Sequence, residues 1–263
     1  MEPLLRVTDL TMRFGGITAV DSLSFEVDEG SITAMIGPNG AGKTSAFNCM
    51  TGFYKATSGT IIYKNEPLTG LAPHQITYKR IIRTFQNVRL FKNMTVLENV
   101  MSGAHSVSKQ FIIGALLRHG AQRREEKEIR EHAEHCLDFI GILDLKDKVA
   151  KNLSYGDQRR TEWARALAAK PELILLDEPA AGLNTEEKEK LIGFIRRFRD
   201  ELGITVFLIE HDMSLVMEIS EKVIVINFGE KIAEGAPSEV QANPLVIDAY
   251  LGTEDEEDSP WVM

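Results

Sequence analysis

Gly37-Pro38-Asn39-Gly40-Ala41-Gly42-Lys43-Thr44 decides the fold of this chain. The stretch fits G-x-x-x-x-G-K-[ST] at every fixed position, with a short β-rich run at 32–36 before it and helical character at 43–51 after it. Glycines let the backbone turn so that successive N–H groups point inward at phosphate oxygens. The helix that follows adds its positive N-terminal end. In such a loop Lys43 places an ammonium on the β- and γ-phosphates, Thr44 coordinates Mg2+ through its hydroxyl, and Ser45 is an extra phosphate contact. An ordinary glycine-rich turn would not need strand, loop and helix to agree in this way.

The next informative stretch is Leu173-Ile174-Leu175-Leu176-Asp177-Glu178-Pro179. Four apolar residues predict a buried strand, and Asp177 follows at its carboxyl end, where α/β sheets place their ligands. Asp177 suits a metal-holding role, directly or through water. Glu178 can take a proton from an attacking water or orient it. An adjacent Asp-Glu pair is normally a solvated strand end; coupling to the phosphate loop raises it above that reading.

Around these motifs the pattern changes twice. Residues 4–10 and 22–27 alternate apolar and polar, as half-buried antiparallel strands do, and 60–63 is a further short strand. Phe14-Gly15-Gly16 and Asp28-Glu29-Gly30 lie where turns belong. From about residue 96 to 145 the chain is rich in helix formers, interrupted by Gly114 and Gly120. The final third alternates again: strand 173–176, helix 186–202, strand 205–209, helix 213–220, strand 222–227. That order predicts βαβ units and a parallel sheet with a helical lobe inserted.

Composition bounds the rest. With 263 residues and 43% apolar content the chain can bury one large core. No apolar run approaches the roughly 18 residues that span a bilayer. The opening MEPLLRVTDL lacks the basic start of a signal peptide, so a cytosolic, soluble chain is expected. Cys49 and Cys136 are read as buried thiols in a reducing compartment. His132 and His135 share a helix face without further ligands in view. The net charge of −9 argues against nucleic acid as a partner, although five acids, Glu254 to Asp258, form a run expected to be a solvated tail.

Between the two motifs stands Leu153-Ser154-Tyr155-Gly156-Asp157-Gln158-Arg159-Arg160, leading into a helix. Here the chain resembles the ATP-binding cassette (ABC) family, whose signature LSGGQ precedes a helix and then the Walker B strand. Gln86, in Arg83-Thr84-Phe85-Gln86, looks like the glutamine of the family's Q-loop. Residues Ala180-Ala181-Gly182-Leu183-Asn184 occupy the D-loop place, and His211 looks like the switch histidine. Phe14 fits the aromatic that stacks on adenine. The phrases Met12-Arg13-Phe14-Gly15-Gly16, Val88-Arg89-Leu90-Phe91-Lys92-Asn93-Met94-Thr95-Val96 and Ala249-Tyr250-Leu251-Gly252 resemble the ATPases of branched-chain amino-acid importers, nearest to the glycine-type, first-cassette subunit. Urea and short-chain amide importers use similar cassettes.

The resemblance implies an α/β P-loop NTPase core with an N-terminal antiparallel β subdomain and an inserted α-helical signature lobe. It places a single cassette at 1–252, with core at 1–88 and 166–252, lobe at 89–165 and an acidic flexible tail at 253–263. It implies ATP and Mg2+ as ligands. Glu178, His211 and Gln86 are then the catalytic group, and Thr44, Gln86 and Asp177 the metal-contacting group. Phe14, the residues from Gly37 to Ser45, and Ser154 and Gly156 of the signature bind nucleotide. One signature and one phosphate loop need a second cassette, copy or paralogue. Two membrane-spanning permease subunits and an extracytoplasmic solute-binding protein complete the expected importer, which puts this chain peripherally on the cytoplasmic face of the inner membrane.

Three residues depart from the family pattern: Tyr155 for a signature glycine, Asp157 for its glutamine, and Asn184 for the D-loop aspartate. A helix N-terminus welcomes Asp157, whereas nearby phosphates do not. Two rivals follow: a soluble ABC ATPase acting on DNA or ribosomes, and a regulatory cassette without catalysis. The first lacks the sustained heptads or basic linker it needs here. ATPase activity separates the second.

Overall fold

The computed structural model describes residues 2–105 and 119–251. The apolar stripe at 111–117, Gly114, Gly252 and the acidic tail lie outside the described residues. The described chain divides into two compact units, Met1–Ile76 with Leu175–Met263, and Thr77–Ile174.

The first unit begins with strands β1 (Leu5–Phe14) and β2 (Ile17–Val27), then β3 (Ile32–Ile36), helix α1 (Lys43–Met50), β4 (Ser58–Tyr63), β5 (Glu66–Pro67) and α2 (Pro73–Tyr78), whose last residues enter the second unit. The second unit holds β6 (Ile81–Arg83), α3 (Val96–His105), α4 (His119–Ile140) and α5 (Tyr155–Ala168). Strand β7 (Leu173–Asp177) starts there and ends in the first unit. That unit continues with α6 (Thr185–Asp200), β8 (Thr205–Ile209), α7 (Met213–Ile219), β9 (Lys222–Asn227), β10 (Glu230–Gly235), α8 (Pro237–Gln241) and α9 (Pro244–Leu251).

In the first unit the antiparallel sheet runs β2-β1-β4-β5, with Leu5 opposite Val27 at one end and Phe14 opposite Ile17 at the other. Both long strands exceed their expected lengths. Each passes through a left-handed residue, Asp9 at φ +48° and Ser22 at φ +49°, where the register shifts. Such a bulge breaks strict alternation and hides the strand's continuation. Side chains steady it: Ser24 Oγ accepts from the Asp9 N–H at 2.8 Å and Thr11 Oγ1 from the Ser22 N–H at 3.1 Å.

The second sheet of this unit orders β10-β9-β3-β8-β7. Strand β3 is central and parallel to both neighbours, with Ile32 opposite Val206 and Thr33 opposite Lys222. Every residue of β3, β7 and β8 is buried, as strands covered on both faces require. Edge strand β10 is antiparallel and half-exposed, so its weak pattern left it unexpected. Phe207 of β8 is fully buried and stacks on Phe25 of β2 at 5.5 Å and Phe47 of α1 at 5.4 Å. That pair of contacts locks α1 against both sheets. Cys49 lies on the buried side of the same helix, its thiol pushed up by burial to about 11.

In the second unit β6 lies beside the first residues of β7, and the N–H groups of Glu172 and Leu173 both donate to Arg80 O. Strand β6 ends at Arg83, three residues before Gln86. Helices α3, α4 and α5 pack on one another. A Cβ on Gly103 of α3 would strike Arg165 O of α5, so these two backbones touch because that position carries no side chain. Cys136 of α4 is buried, its thiol raised to about 12.

Phe207→Ala should remove the ring that both Phe25 and Phe47 stack on, leaving a cavity at the junction of sheet and helix. We expect a loss of about 3–5 kcal/mol, read as a lower urea midpoint at unchanged slope. A loss under about 1 kcal/mol would show that the aromatic trio is not a stabilising centre.

Candidate functional site

Between β3 and α1 the chain passes through residues 37–42. A Cβ on Gly37 would overlap Ile226 O, and one on Gly42 would overlap Ala19 O; Gly42 is also left-handed, φ +100°. Close backbone approach and conformation together leave glycine as the fitting residue at Gly42. The Ala41 N–H donates to Pro38 O at 3.1 Å and the Gly229 N–H to Ala41 O at 3.0 Å, which closes the loop on the β9–β10 turn. No side chain caps α1, and its first turn holds no acid, so its N-terminus is suited to an anion.

Lys43 is buried, and its Nζ donates to Gly37 O at 2.5 Å and Pro38 O at 2.9 Å. Burial lowers its pKa, and the Glu178 carboxylate acts against that. Thr44 is exposed and Ser45 half-buried. Phe14, at the end of β1, is 43% exposed and forms a T-shaped pair with Tyr54, ring centroids 5.2 Å apart.

Strand β7 delivers Asp177 buried at its carboxyl end. Glu178 then turns the chain in the left-handed region, φ +46°, a backbone state that costs a non-glycine residue about 1–3 kcal/mol. Its N–H donates to Ile209 O at 3.0 Å, and its carboxylate lies 3.8 Å from His211 Nδ1. The first unit thus brings Lys43, Glu178 and His211 into one electrostatic neighbourhood.

Two residues here carried no functional signal in the sequence. Glu210 is fully buried; its Oε1 accepts from the Ala180 N–H at 2.7 Å and its Oε2 from the His211 N–H at 3.1 Å. Burial raises its pKa, and those amides pull the other way. Asp212 caps α7, accepting from the Leu215 N–H at 3.2 Å and pairing with Lys188 of α6 at 2.6 Å. Burial alone would raise its carboxyl, but Lys188, Ser214 and the Leu215 amide outweigh that and hold it at about 2. Asn184 acts as a helix cap: it exchanges hydrogen bonds with Glu187, both at 3.0 Å, in a capping box that starts α6.

The second unit places Gln86, Ser154 and Gly156. Ser154 caps α5, accepting from the Asp157 N–H at 3.1 Å. Asp157 is ion-paired with Arg160, which offsets its negative charge. Arg159, 1% exposed, donates to Phe85 O and Gln86 O, both at 2.9 Å, and to Tyr155 Oη at 3.0 Å. Glu162, equally buried, lies 3.7 Å from Arg159 and accepts from the Arg89 N–H at 3.2 Å. Burial raises the Glu162 carboxyl, against the Arg89 amide and neighbouring arginines. Two buried charges therefore bind the segment carrying Gln86 to the helix that Ser154 starts. The alternation rules that located the motifs treat such charges as surface residues.

Among the described residues no group of three His, Cys, Asp or Glu side chains is placed to hold a metal. Thr44 and Asp177 offer hard oxygens in small number, which fits Mg2+ drawing its other ligands from phosphate and water.

Comparison with known proteins adds the following. The ABC transporter family model matches residues 20–181. A model described as branched-chain amino acid ATP-binding cassette transporter matches 230–256. The chain is 49% identical over 251 residues to the high-affinity branched-chain amino acid transport ATP-binding protein LivG of Salmonella typhimurium, covering 95% of this chain and 98% of that protein. It is 47% identical over 250 residues, with the same coverage, to BraF of Pseudomonas aeruginosa, which bears the same description. Among solved structures it resembles the ADP conformation of MJ1267, an ATP-binding cassette of an ABC transporter, with a TM-score of 0.83 and 30% identity, covering 96% of this chain and all of that one.

Two outcomes are expected from these charges. Arg159→Leu should cost about 3–5 kcal/mol in denaturant unfolding, because it leaves buried Glu162 with Arg165 as its remaining ion-pair partner, 3.6 Å away, and removes the donor from two carbonyls. Adding Glu162→Leu should recover much of it; a single-variant loss under about 1 kcal/mol would remove the cluster from that role. Asp212, with its depressed carboxyl, adds stability that is present above pH 3.8 and lost as pH falls toward about 2. Its side chain is only 16% exposed, and the contribution is about 2 kcal/mol. Lys188→Met should raise the Asp212 carboxyl titration seen by NMR; an unmoved titration would show that the ion pair does not hold it down.

Proposed function

Since the chain belongs to the ABC transporter family, we propose that it is the ATP-hydrolysing subunit of a branched-chain amino-acid importer. The substrate reading rests on the relatives named above, which match along nearly the whole chain, and on the match at 230–256. A urea or amide importer is the second reading, and an uptake assay with the intact transporter separates them. No helix of the described residues is long and apolar enough to cross a membrane, so membrane-spanning partners supply the passage. The proposed set is two permease subunits, a second cassette, and an extracytoplasmic binding protein, with this chain on the cytoplasmic face. Residues 89–95 are the proposed docking segment. There Phe91 and Met94 are exposed, while buried Asn99 exchanges hydrogen bonds with the Phe91 backbone at 2.8 and 3.1 Å.

The observation that carries the chemistry is Glu178, held in a strained backbone state beside His211 and close enough to oppose the effect of burial on Lys43. In the proposed mechanism the phosphate loop's amides bind the triphosphate, and Lys43 exchanges its carbonyl partners for phosphate oxygens. Glu178 takes the proton of the attacking water, and His211 donates toward the γ-phosphate. Thr44 and Asp177, with Gln86, would hold Mg2+, whose charge offsets that developing on the phosphates. Phe14 would stack on adenine, and Ser154 and Gly156 would close the site of the second cassette.

Glu178→Gln keeps size and hydrogen bonding but loses the base. It should bind ATP, stop at the bound state, and run as an associated cassette pair in size exclusion. Asp177→Asn should weaken Mg2+-dependent binding as well. Phosphate release at the wild-type rate by Glu178→Gln would sink the assignment.

A further inference from the structure

Glu210 precedes the histidine of the proposed site and is wholly buried, yet the mechanism above gives it no task. Its carboxylate joins two loops. Oε1 accepts from Ala180, in the turn that carries Glu178, and Oε2 accepts from His211, with the Asp212 N–H at 3.5 Å beyond it. A second bond runs parallel to the first, from the Glu178 N–H to Ile209 O at 3.0 Å. The two residues proposed to handle water and γ-phosphate thus sit on loops fastened to each other at either side. One fastening is ordinary backbone pairing. The other is a side chain.

We infer that Glu210 is a positioning residue for ATP hydrolysis, a buried staple that sets the separation of Glu178 and His211. Its chemistry suits the task. A carboxylate presents acceptors on both oxygens, so it can serve amides from two loops at once. A glutamine has one acceptor and one donor group; whichever way it turns, one loop's N–H faces an N–H. The anion is stabilised by these amides and by His211, whose Nδ1 lies 3.9 Å away. The inferred role rests on the proposed roles of Glu178 and His211. Glu210 makes no hydrogen bond to residues 37–45, so nucleotide affinity should be independent of it while turnover is not.

The test uses the full chain in the preparation where wild type turns over ATP. Glu210→Gln and the charge-keeping, shorter Glu210→Asp are compared with wild type by ATP affinity, KM and kcat. Inhibition by orthovanadate with Mg-ADP, which mimics the phosphoryl group in flight, is read alongside. Both variants should keep ATP affinity and KM within about twofold and lose kcat by on the order of 10- to 100-fold, as small misplacements of reacting groups do. Both should also lose sensitivity to orthovanadate. Melting temperature is recorded for each, so a variant that unfolds is replaced by the other. Wild-type kcat in a folded variant overturns the inference. Parallel loss of affinity and turnover in both variants assigns Glu210 a purely structural role and overturns it too. A wild-type chain that binds ATP without hydrolysing it in any cassette pairing defeats the proposed function itself, a result distinct from either.

Discussion

Two backbone carbonyls, Ile226 O and Ala19 O, stand so close to the loop after β3 that no side chain fits at Gly37 or Gly42. This constraint reaches well beyond the loop. Ile226 belongs to β9 of the mainly parallel sheet and Ala19 to β2 of the antiparallel one, so both sheets of the first unit press on the same six residues. Parallel pairing of β3 with β8 and β9 brings the ends of those strands to the same level. The carboxyl end of β8 then carries Ile209, Glu210 and His211, and that of β7 carries Asp177 and Glu178. A glycine-lined loop is thus the axis about which the charged residues are arranged.

Those charges share a second property: the backbone is their main partner. Lys43 is held by two carbonyls, Glu210 by amides, and Arg159 by the carbonyls of Phe85 and Gln86. A buried ion satisfied by peptide groups avoids part of the desolvation penalty that an isolated ion would suffer. It also transmits position, because moving the side chain moves a loop. Ion pairs between side chains on the surface, such as Lys190 with Glu186, lack that leverage and are worth little.

How much of this the sequence discloses depends on the kind of signal each feature leaves. The phosphate loop and the β7 strand are contiguous, and their residue types are demanded by local geometry, so they were readable with their flanking elements. The α/β core with its antiparallel subdomain followed from alternation in the first third and βα order in the last. Strands β1 and β2 read as fragments because Asp9 and Ser22 interrupt the period with positive φ, a state that aspartate adopts more readily than most residues but still uncommonly, so neither letter announces it. Strand β10 escaped because an edge strand with half-exposed side chains carries little alternation. Glu210 and Arg159 escaped for a deeper reason: their partners are backbone atoms brought together by the fold, and backbone atoms have no letter. Asn184 and Asp157 looked like departures from a family pattern, and the structure gives each a local partner, a capping box and Arg160.

The two thiols have a practical consequence. With pKa values near 11 and 12, Cys49 and Cys136 present a thiolate fraction of only about one in ten thousand or less at neutral pH. Both are also buried, Cys49 on α1 and Cys136 on α4. Maleimide chemistry needs an accessible thiolate, so the native chain is already close to a silent background for labelling. Fluorophores or spin labels could be introduced at chosen surface cysteines without first stripping the native pair, and distances between cassettes followed through turnover in an otherwise unaltered protein.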